Sequence, residues 1–263
     1  MKTTVTSAGN RRVKLAASLH RPQGCAEHGA FLVEGPRFLD GAQKSRPLFV
    51  MVSAQASTEA LAAAEKARGM GLEVIELSPQ VFFRIADTKT PQGIVAVFPL
   101  PEWVDADVFR GGTVVALDGV SDPGNAGTII RSAAAFQSDG AVFLPGSAHP
   151  YGTKTTRSAA GANITLPIIM AGSLQELKKS HPGYVFAGAE TGGIPLGQFR
   201  PAGPVCIVVG SEAHGLSGAT SACLSERVAI PMAGGVDSLN AGVCASIILH
   251  HLHFMGNCPA FAE

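Results

Sequence analysis

Short runs of valine, isoleucine and other apolar residues alternate with helix-forming segments along nearly the whole chain. In the second half these runs are almost uninterrupted, which is typical of strands buried on both faces of a mostly parallel sheet. Strands of this half are predicted at 113–117, 141–144, 164–170, 184–187, 205–209 and 227–230. A sheet of this kind binds ligands at the carboxyl ends of its strands, so functional residues are expected at those ends.

The first hundred residues show the same alternation on a smaller scale. Strands are predicted at 30–33, 48–53, 73–77 and 94–98, with helices near 36–44, 57–69 and 79–85. An amphipathic helix with Ser7 as its expected N-cap precedes them. The proline-punctuated segment 99–105 then separates two α/β domains, a small one over residues 1–100 and a larger one over residues 106–263.

The formal net charge is zero, but the basic residues are concentrated in two segments. Residues 1–50 hold eight Lys or Arg against three acidic residues, and residues 151–200 hold five against two. This distribution favours local contacts with phosphates over a general coat on a polyanion, although solvated surfaces would give the same count. We expect a cytoplasmic protein without a metal site, because no apolar run reaches the ~20 residues of a membrane span and no cysteines form a CxxC pair.

The first candidate motif follows the strand at 113–117. A turn of Asp, Pro and Gly leads into a helix, where the amide of Asn125 is expected to cap free N–H groups. Arg131 lies six residues later in a helix otherwise made largely of Ile and Ala. From this segment alone, the arginine serves a ligand, pairs with Asp122 or extends from the helix into solvent.

The second candidate motif leaves the strand at 205–209 through glycines and carries Glu212. Its Gly-x4-Gly spacing is that of a phosphate-binding P-loop. Leu216, however, occupies the position of the phosphate-binding lysine, which argues against binding of a nucleoside triphosphate. Gly210 would instead allow the backbone to approach a ligand closely.

The third candidate motif begins where the strand at 227–230 ends at a proline. A glycine-rich loop follows, and Ser238 is the predicted N-cap of a long apolar helix with Asn240 in its first turn. Considered alone, local hydrogen bonding to the backbone would explain both side chains.

In this order, the segments 122–131, 210–215 and 230–240 resemble the three motifs of the SpoU/TrmH branch of the SPOUT superfamily, which are RNA ribose 2′-O-methyltransferases. Thr6-Ser7 with Asn10 and Val13-Lys14, the segment 31–35 and the segment 89–94 resemble the L30e-type RNA-binding domain that precedes the catalytic domain in many members. The resemblance covers nearly the whole chain. It departs from the common pattern at His214, and at Gln137-Ser138, where many members have a glycine.

The resemblance implies an L30e-like α/β domain followed by a SPOUT α/β domain with a C-terminal trefoil knot. It also implies a homodimer, S-adenosyl-L-methionine as methyl donor and no metal. The residues expected to hold the donor through the backbone are Gly210, Ile230 and Leu239. Arg131 would organise an RNA phosphate and help to activate the ribose hydroxyl. The residues expected to orient Arg131 and the target nucleotide are Asn125, Glu212, Ser238 and Asn240.

Contacts with RNA are expected from both basic segments. The residues are Asn10, Arg11, Lys14, Arg21, Lys154 and Arg157. Ribosomal RNA is the favoured substrate, with transfer RNA as the alternative. A non-catalytic RNA-binding protein of the same fold is a further alternative. A nicotinamide-dependent enzyme is disfavoured, because no GxGxxG sequence follows a first strand.

Overall fold

A computed structural model describes residues 4–234 and 238–257, and the chain in it forms two compact units. The first unit consists of Met1–Glu102 and Tyr151–Thr165, and the second of Trp103–Pro150 and Leu166–Glu263. The break after Glu102 falls within the proline-punctuated segment. Residues 151–165, which we expected within the larger domain, pack with the first unit instead. The ends of both predicted domains (1–3, 258–263) and residues 235–237 of the third motif lie outside the described residues.

The first unit is a four-stranded sheet with helices. Its elements are α1 (Arg11–Ser18), α2 (Pro22–His28), β1 (Ala30–Glu34), α3 (Phe38–Gly41), β2 (Phe49–Ser53), α4 (Thr58–Gly69), β3 (Val74–Leu77), α5 (Pro79–Phe82) and β4 (Ile94–Pro99). The strand order is β1-β4-β2-β3, with β4 antiparallel to both neighbours and β2 parallel to β3. The four predicted strands are confirmed within one or two residues, whereas α3 and α5 are shorter than predicted.

Helix α1 begins three residues later than a Ser7 cap would require. The Asn10 side-chain oxygen accepts a hydrogen bond from the Arg12 backbone N at 2.9 Å, so Asn10 is the N-cap. Ser7 instead accepts from the backbone of Gly9 at 3.1 Å. The Ser7 prediction was wrong because two good capping residues lie within four positions, and the backbone conformation selects between them.

The Glu34 carboxylate joins the end of β1 to the loop that precedes β4. Glu34 ends β1, and one of its oxygens accepts a hydrogen bond from the backbone N of Asp87 at 3.0 Å. Its other oxygen accepts from the Thr88 hydroxyl. The loop before β4 is therefore tied to the end of β1, which explains why an acid and a threonine are needed there.

The second unit is built around a six-stranded sheet in which every neighbouring pair is parallel. From residue 103 the elements are α6 (Asp105–Val108), β5 (Thr113–Asp118), α7 (Pro123–Ala135), β6 (Gly140–Phe143), α8 (Thr153–Ser158), β7 (Ile168–Met170), α9 (Leu174–Ser180), β8 (Val185–Pro195), β9 (Val205–Gly210), α10 (Gly218–Cys223), β10 (Glu226–Ala229) and α11 (Ala241–Asn257). Helix α8 belongs to the first unit. The strand order is β10-β8-β9-β5-β6-β7, which confirms the expected mostly parallel sheet.

Apolar side chains fill the second unit on both sides of its central strands. Strands β5, β6 and β9 are buried over nearly their whole length, as the uninterrupted apolar runs predicted. Two strand boundaries differ from prediction. Strand β7 begins only at Ile168, because Ala162–Ile164 form a 3-10 turn in the segment that packs with the first unit. Strand β8 continues to Pro195 instead of ending at Ala187.

Helix α7 ends with a residue in an unusual backbone conformation. Gln137 follows this helix with φ of +55°, in the left-handed region that glycine adopts most readily. Gln137 belongs to the Gln137-Ser138 pair, one of the two places where the sequence departs from the pattern that it otherwise resembles. The chain therefore keeps the turn while a glutamine occupies it.

The longest helix of the described residues is α11, with 17 residues. Within residues 4–234 and 238–257, neither α11 nor any other helix combines the length and apolar character that crossing a membrane requires.

Candidate active site

The three sequence motifs meet at the carboxyl edge of the parallel sheet. Strands β5 and β9 are neighbours in register, and their last pair joins Asp118 to Gly210. The first two motifs leave the sheet directly after this pair. The Asp118 carboxylate is buried and accepts a hydrogen bond from the Ser217 backbone N at 2.7 Å. This bond attaches the end of the loop after β9 to the end of β5.

A chain of side-chain hydrogen bonds connects all three motifs. The Asn125 amide nitrogen donates to a Glu212 carboxylate oxygen. The Asn240 amide nitrogen donates to the Asn125 oxygen at 2.8 Å, and the Asn240 oxygen accepts from the Val243 backbone N at 3.2 Å. Three of the five predicted catalytic residues are thus in direct contact, although they lie far apart in sequence.

The caps of both helices at this site differ from prediction. Asp122 caps α7 by accepting from the Asn125 backbone N at 2.8 Å, with Pro123 in the first turn. Asn240, and not Ser238, makes the capping contact at the start of α11. The predicted capping roles of Asn125 and Ser238 were therefore wrong. The Asn125 side chain is left available for Glu212 and Asn240.

Arg131 takes no part in this chain of hydrogen bonds. It is exposed on α7, six residues or about 9 Å of helix rise beyond Asn125. Its side chain forms no hydrogen bond or ion pair with the described residues, and Asp122 does not bind it. All its guanidinium donors are therefore available to a ligand.

Helices α7 and α11 pack side by side in the same direction, which aligns Asn125 with Asn240. The hydroxyls of Ser132 and Ser246 lie 2.7 Å apart, and the rings of Phe136 and His250 meet edge to face with centroids 5.3 Å apart. The contact is close at the start of α11, where a Cβ added to Gly242 would lie 3.0 Å from the Thr128 methyl group. The asparagine pair is therefore held by a rigid helix contact.

A cavity of about 420 Å³ opens beside this cluster. The three residues expected to hold a methyl donor, Gly210, Ile230 and Leu239, all line it, as do Glu212 and Ser238. The remaining lining residues are Ala189, Glu190, Thr191, Val209, Ser211, Gly215, Arg227, Val228, Met232, Ala241 and Cys244. Apolar side chains and polar groups contribute about equally to the surface of this wall.

The absence of a side chain at Gly210 is required by the backbone of its own loop more directly than by the cavity. A Cβ at this position would lie 2.2 Å from the carbonyl carbon of Gly215 and 2.5 Å from the Leu216 backbone N. Ser211 and Gly215 exchange two backbone hydrogen bonds, of 3.0 and 2.9 Å, that close this loop. The side chain is absent because the backbone of the same loop occupies its space, which differs from the expected close approach to a ligand.

Sequence reasoning missed a second wall of the cavity. Ala189, Glu190 and Thr191 lie beyond the predicted end of their strand, and Arg227 reaches the same wall from β10. The signal in the sequence is the Gly192-Gly193 pair, which permits an irregular strand. Cys244 also lines the cavity, and burial raises the pKa of its thiol, so this thiol is uncharged at neutral pH. Within the described part of the chain, no group of His, Cys, Asp and Glu is arranged to hold a metal ion.

The residues expected to bind RNA all belong to the first unit. Arg11, Lys14, Arg21 and Lys154 are exposed, whereas Asn10 caps α1. Arg157 is also exposed, and it pairs with Asp87 at 2.9 Å. The neighbouring Arg12, which we did not select, pairs with Glu73 and lies over the Phe49 ring.

Comparisons with known proteins agree with both halves of the chain. The model of the SpoU rRNA Methylase family matches residues 112–250, and that of the MRM3-like substrate binding domain matches residues 10–96. A Bacillus subtilis protein named 23S rRNA (guanosine(2553)-2′-O)-methyltransferase RlmP is 30% identical over 251 residues. That alignment covers 94% of this chain and 98% of the relative.

Two solved structures are similar over nearly their whole length. The SpoU methyltransferase AviRb from Streptomyces viridochromogenes, in complex with the cofactor AdoMet, is 27% identical with a TM-score of 0.81, over 94% of this chain and 98% of the other. An rRNA methyltransferase from Sinorhizobium meliloti is 25% identical with a TM-score of 0.81, over 97% and 98% of the two chains.

Proposed function

Because the chain belongs to the SpoU rRNA methylase family, we propose that it transfers a methyl group from S-adenosyl-L-methionine to a ribose 2′-hydroxyl of ribosomal RNA. The observation that carries this proposal is the hydrogen-bonded set Asn125, Glu212 and Asn240 beside the cavity. A binding protein without chemistry would not need three motifs joined through buried strand ends. We propose the cytoplasm as the place of this reaction, because ribosomal RNA is found there.

The cavity fits the methyl donor in size and character. Its volume of about 420 Å³ lies in the range of small-molecule sites, and the apolar part of its wall, which includes Met232, suits a purine ring. Ile230 and Leu239 would contact the donor, with the loop that starts at Gly210 closing one side. The donor supplies a methyl group on a sulfonium, which leaves as a neutral thioether.

Arg131 is assigned to the RNA. A ribose hydroxyl is a weak nucleophile near neutral pH, so it must be positioned precisely and must lose its proton. The guanidinium remains protonated but binds phosphate oxygens through paired donors. We infer that Arg131 holds a phosphate next to the target ribose, where a phosphate oxygen lies within reach of the hydroxyl proton. Asn125, Glu212, Ser238 and Asn240 orient these groups.

The first unit is assigned to RNA selection: residues 1–100 form the substrate-binding domain, residues 151–165 pack with it, and the rest of the domain 106–263 is the catalytic part. The match of residues 10–96 to a substrate-binding domain supports this division. The exposed Arg11, Lys14, Arg21 and Lys154 supply positive charge for the backbone of a folded RNA. Asn10 and Arg157 contribute from the same unit.

The catalytic unit is proposed to act as a homodimer. On α11, Val243, Ile247 and Phe254 are 45%, 38% and 51% exposed, and their spacing of four and seven residues places them on one face. An exposed apolar stripe of this kind is suited to packing against the same helix of a second copy. Ile247→Arg should convert the dimer to monomer in sedimentation equilibrium, whereas the same substitution at exposed Leu61 should not. The implied trefoil knot stays a prediction.

The function is tested by mapping ribose methylation in host RNA with and without the gene, followed by transfer of labelled methyl to purified RNAs. Loss of a 2′-O-methyl mark in large-subunit ribosomal RNA is expected, since the relative RlmP is named for 23S rRNA. A lost mark in transfer RNA would redirect the substrate and leave the reaction intact. An unchanged methylation map together with failure to bind S-adenosylmethionine would support the non-catalytic alternative.

A further inference from the structure

One wall of the cavity is formed by residues 189–193 of strand β8, a segment that leaves the pairing with β10 and is called the excursion below. Strand β8 pairs with β10, but the register jumps: Arg227 is opposite Gly188, and the next residue, Val228, is opposite Ile194. The five residues between Gly188 and Ile194 therefore have no partner on β10. Three of them, Ala189, Glu190 and Thr191, line the cavity. Strand β8 therefore loses its pairing with β10 at the place where it borders the proposed donor site.

Close glycine packing fixes both ends of this excursion. A Cβ on Gly188 would lie 2.4 Å from the Leu224 side chain, and one on Gly193 would lie 2.6 Å from the backbone carbon of Arg227. Gly192 adopts a φ of +81° between them. The excursion is therefore packed against β10 and the residues before it, and its side chains are presented from a defined backbone.

Glu190 is the only charged residue on the excursion, and Arg227 holds it. The Arg227 Nε donates to Glu190 Oε2 at 2.7 Å. The same guanidinium donates to the Ser221 backbone oxygen and hydroxyl, at 3.3 and 3.1 Å. The second oxygen of Glu190, Oε1, accepts no hydrogen bond from the described residues, so an oriented acceptor is left at the cavity wall.

The position and charge of this pair select the group it can bind. Strand β8 lies on the side of β9 away from β5, whereas Asn125 lies in the first turn of α7, the helix that follows β5. The pair is therefore remote from the methyl transfer, and Arg227 balances the charge of Glu190. A balanced pair has little preference for a cation, so a neutral hydroxyl is a better partner than the sulfonium or the amino group. Carboxylates bind ribose hydroxyls in the same way in dinucleotide sites.

We propose that Glu190 accepts a hydrogen bond from a ribose hydroxyl of the donor's adenosyl group, and that Arg227 positions Glu190 for this contact. The inference rests on the proposed function, because it names a contact to the methyl donor. Glu190 then determines specificity for a ribonucleoside donor, whereas the apolar residues of the cavity bind the base without regard to its sugar. Methyl transfer itself does not require this carboxylate.

The test compares binding of S-adenosylhomocysteine with that of its 2′-deoxy and 3′-deoxy analogues to the full-length protein by calorimetry. The wild type should bind one of the two analogues, the one that lacks the hydroxyl bound by Glu190, about tenfold more weakly than S-adenosylhomocysteine. The reason is the loss of a hydrogen bond to a carboxylate. Glu190→Ala should weaken S-adenosylhomocysteine by about tenfold and reduce the preference over that analogue to about one. Glu190→Gln, which keeps the shape and removes the charge, should give an intermediate preference.

Arg227→Ala should also lower the preference, because Glu190 is no longer held in place. The matched control is Glu226→Ala, which removes a neighbouring acid that does not line the cavity and should keep the full preference. Retention of the full preference in Glu190→Ala would overturn the inference and leave the proposed function standing. Equal binding of all three ligands by the wild type would also overturn it. If the wild type bound none of them, the proposed function would fail as well.

Discussion

The turn that carries Glu212 can form only because Gly210 has no side chain, and the substitution Gly210→Ala tests this. The new Cβ would lie 2.2 Å from the Gly215 carbonyl carbon and 2.4 Å from its oxygen, so the backbone must move by about 1 Å to restore an ordinary contact. Overpacking of this kind costs about 1–3 kcal/mol. Disrupting one of the two hydrogen bonds between Ser211 and Gly215 adds about 1 kcal/mol. We therefore expect Gly210→Ala to lower the free energy of unfolding by about 2–4 kcal/mol.

Urea and thermal unfolding measure this loss, which corresponds to a fall in Tm of roughly 10 °C for a chain of this size. Gly218→Ala is the matched control, because a Cβ there meets nothing within 4 Å, and its Tm should stay within about 2 °C of the wild type. Donor affinity is measured well below the transition. If Gly210→Ala unfolds like the control and has lost donor binding, the glycine serves the approach of the ligand and the packing argument is refuted.

Three further substitutions test the roles of individual residues. Arg131→Ala should lower methyl transfer by at least about 100-fold and leave S-adenosylmethionine affinity within a few fold, because Arg131 is assigned to the RNA; near-normal turnover, with Arg110→Ala as control, would remove it from the mechanism. Exchange of Arg11 and Lys14 for glutamate should weaken RNA binding and reduce its salt dependence by about two charges in a titration of affinity against salt, with unchanged donor binding; an unchanged salt slope would exclude both residues from the interface. Gln137→Gly should raise the free energy of unfolding by about 1 kcal/mol in urea titrations, because glutamine is strained at a φ of +55°; a destabilised variant would mean that contacts of the glutamine side chain outweigh the strain.

The strands could be predicted from the sequence because burial on both faces leaves an unambiguous pattern. The runs at β5 and β9 are almost purely apolar, and their boundaries were predicted within one residue. The excursion of β8 could not be predicted, since Gly192 and Gly193 resemble an ordinary loop until the partner strand is known. The packing of residues 151–165 with the first unit also depends on contacts distant in sequence, among them the Phe31 and Tyr151 rings at 4.9 Å.

That packing changes how the two domains can be separated experimentally. A fragment beginning at Trp103 would keep residues 151–165 but lose their partners in the first unit. Tyr151, Ala159 and Ile164 are buried in the whole chain and would be exposed in such a fragment. Loss of RNA binding by the fragment would then report misfolding as readily as a missing interface. Point substitutions in α1 are therefore the sharper test of RNA selection.

The candidate site illustrates why residues can be identified from sequence before their roles. Asn125 was expected to cap a helix, a role that Asp122 performs at 2.8 Å. Instead, the Asn125 amide nitrogen donates a hydrogen bond to Glu212, and the Asn125 amide oxygen accepts one from Asn240. Aspartate at this position would repel Glu212, and an apolar residue would bind neither partner, so only an amide side chain of this length connects the three loops. The need for an amide follows from β5 lying next to β9, and strand order is not encoded in any one motif.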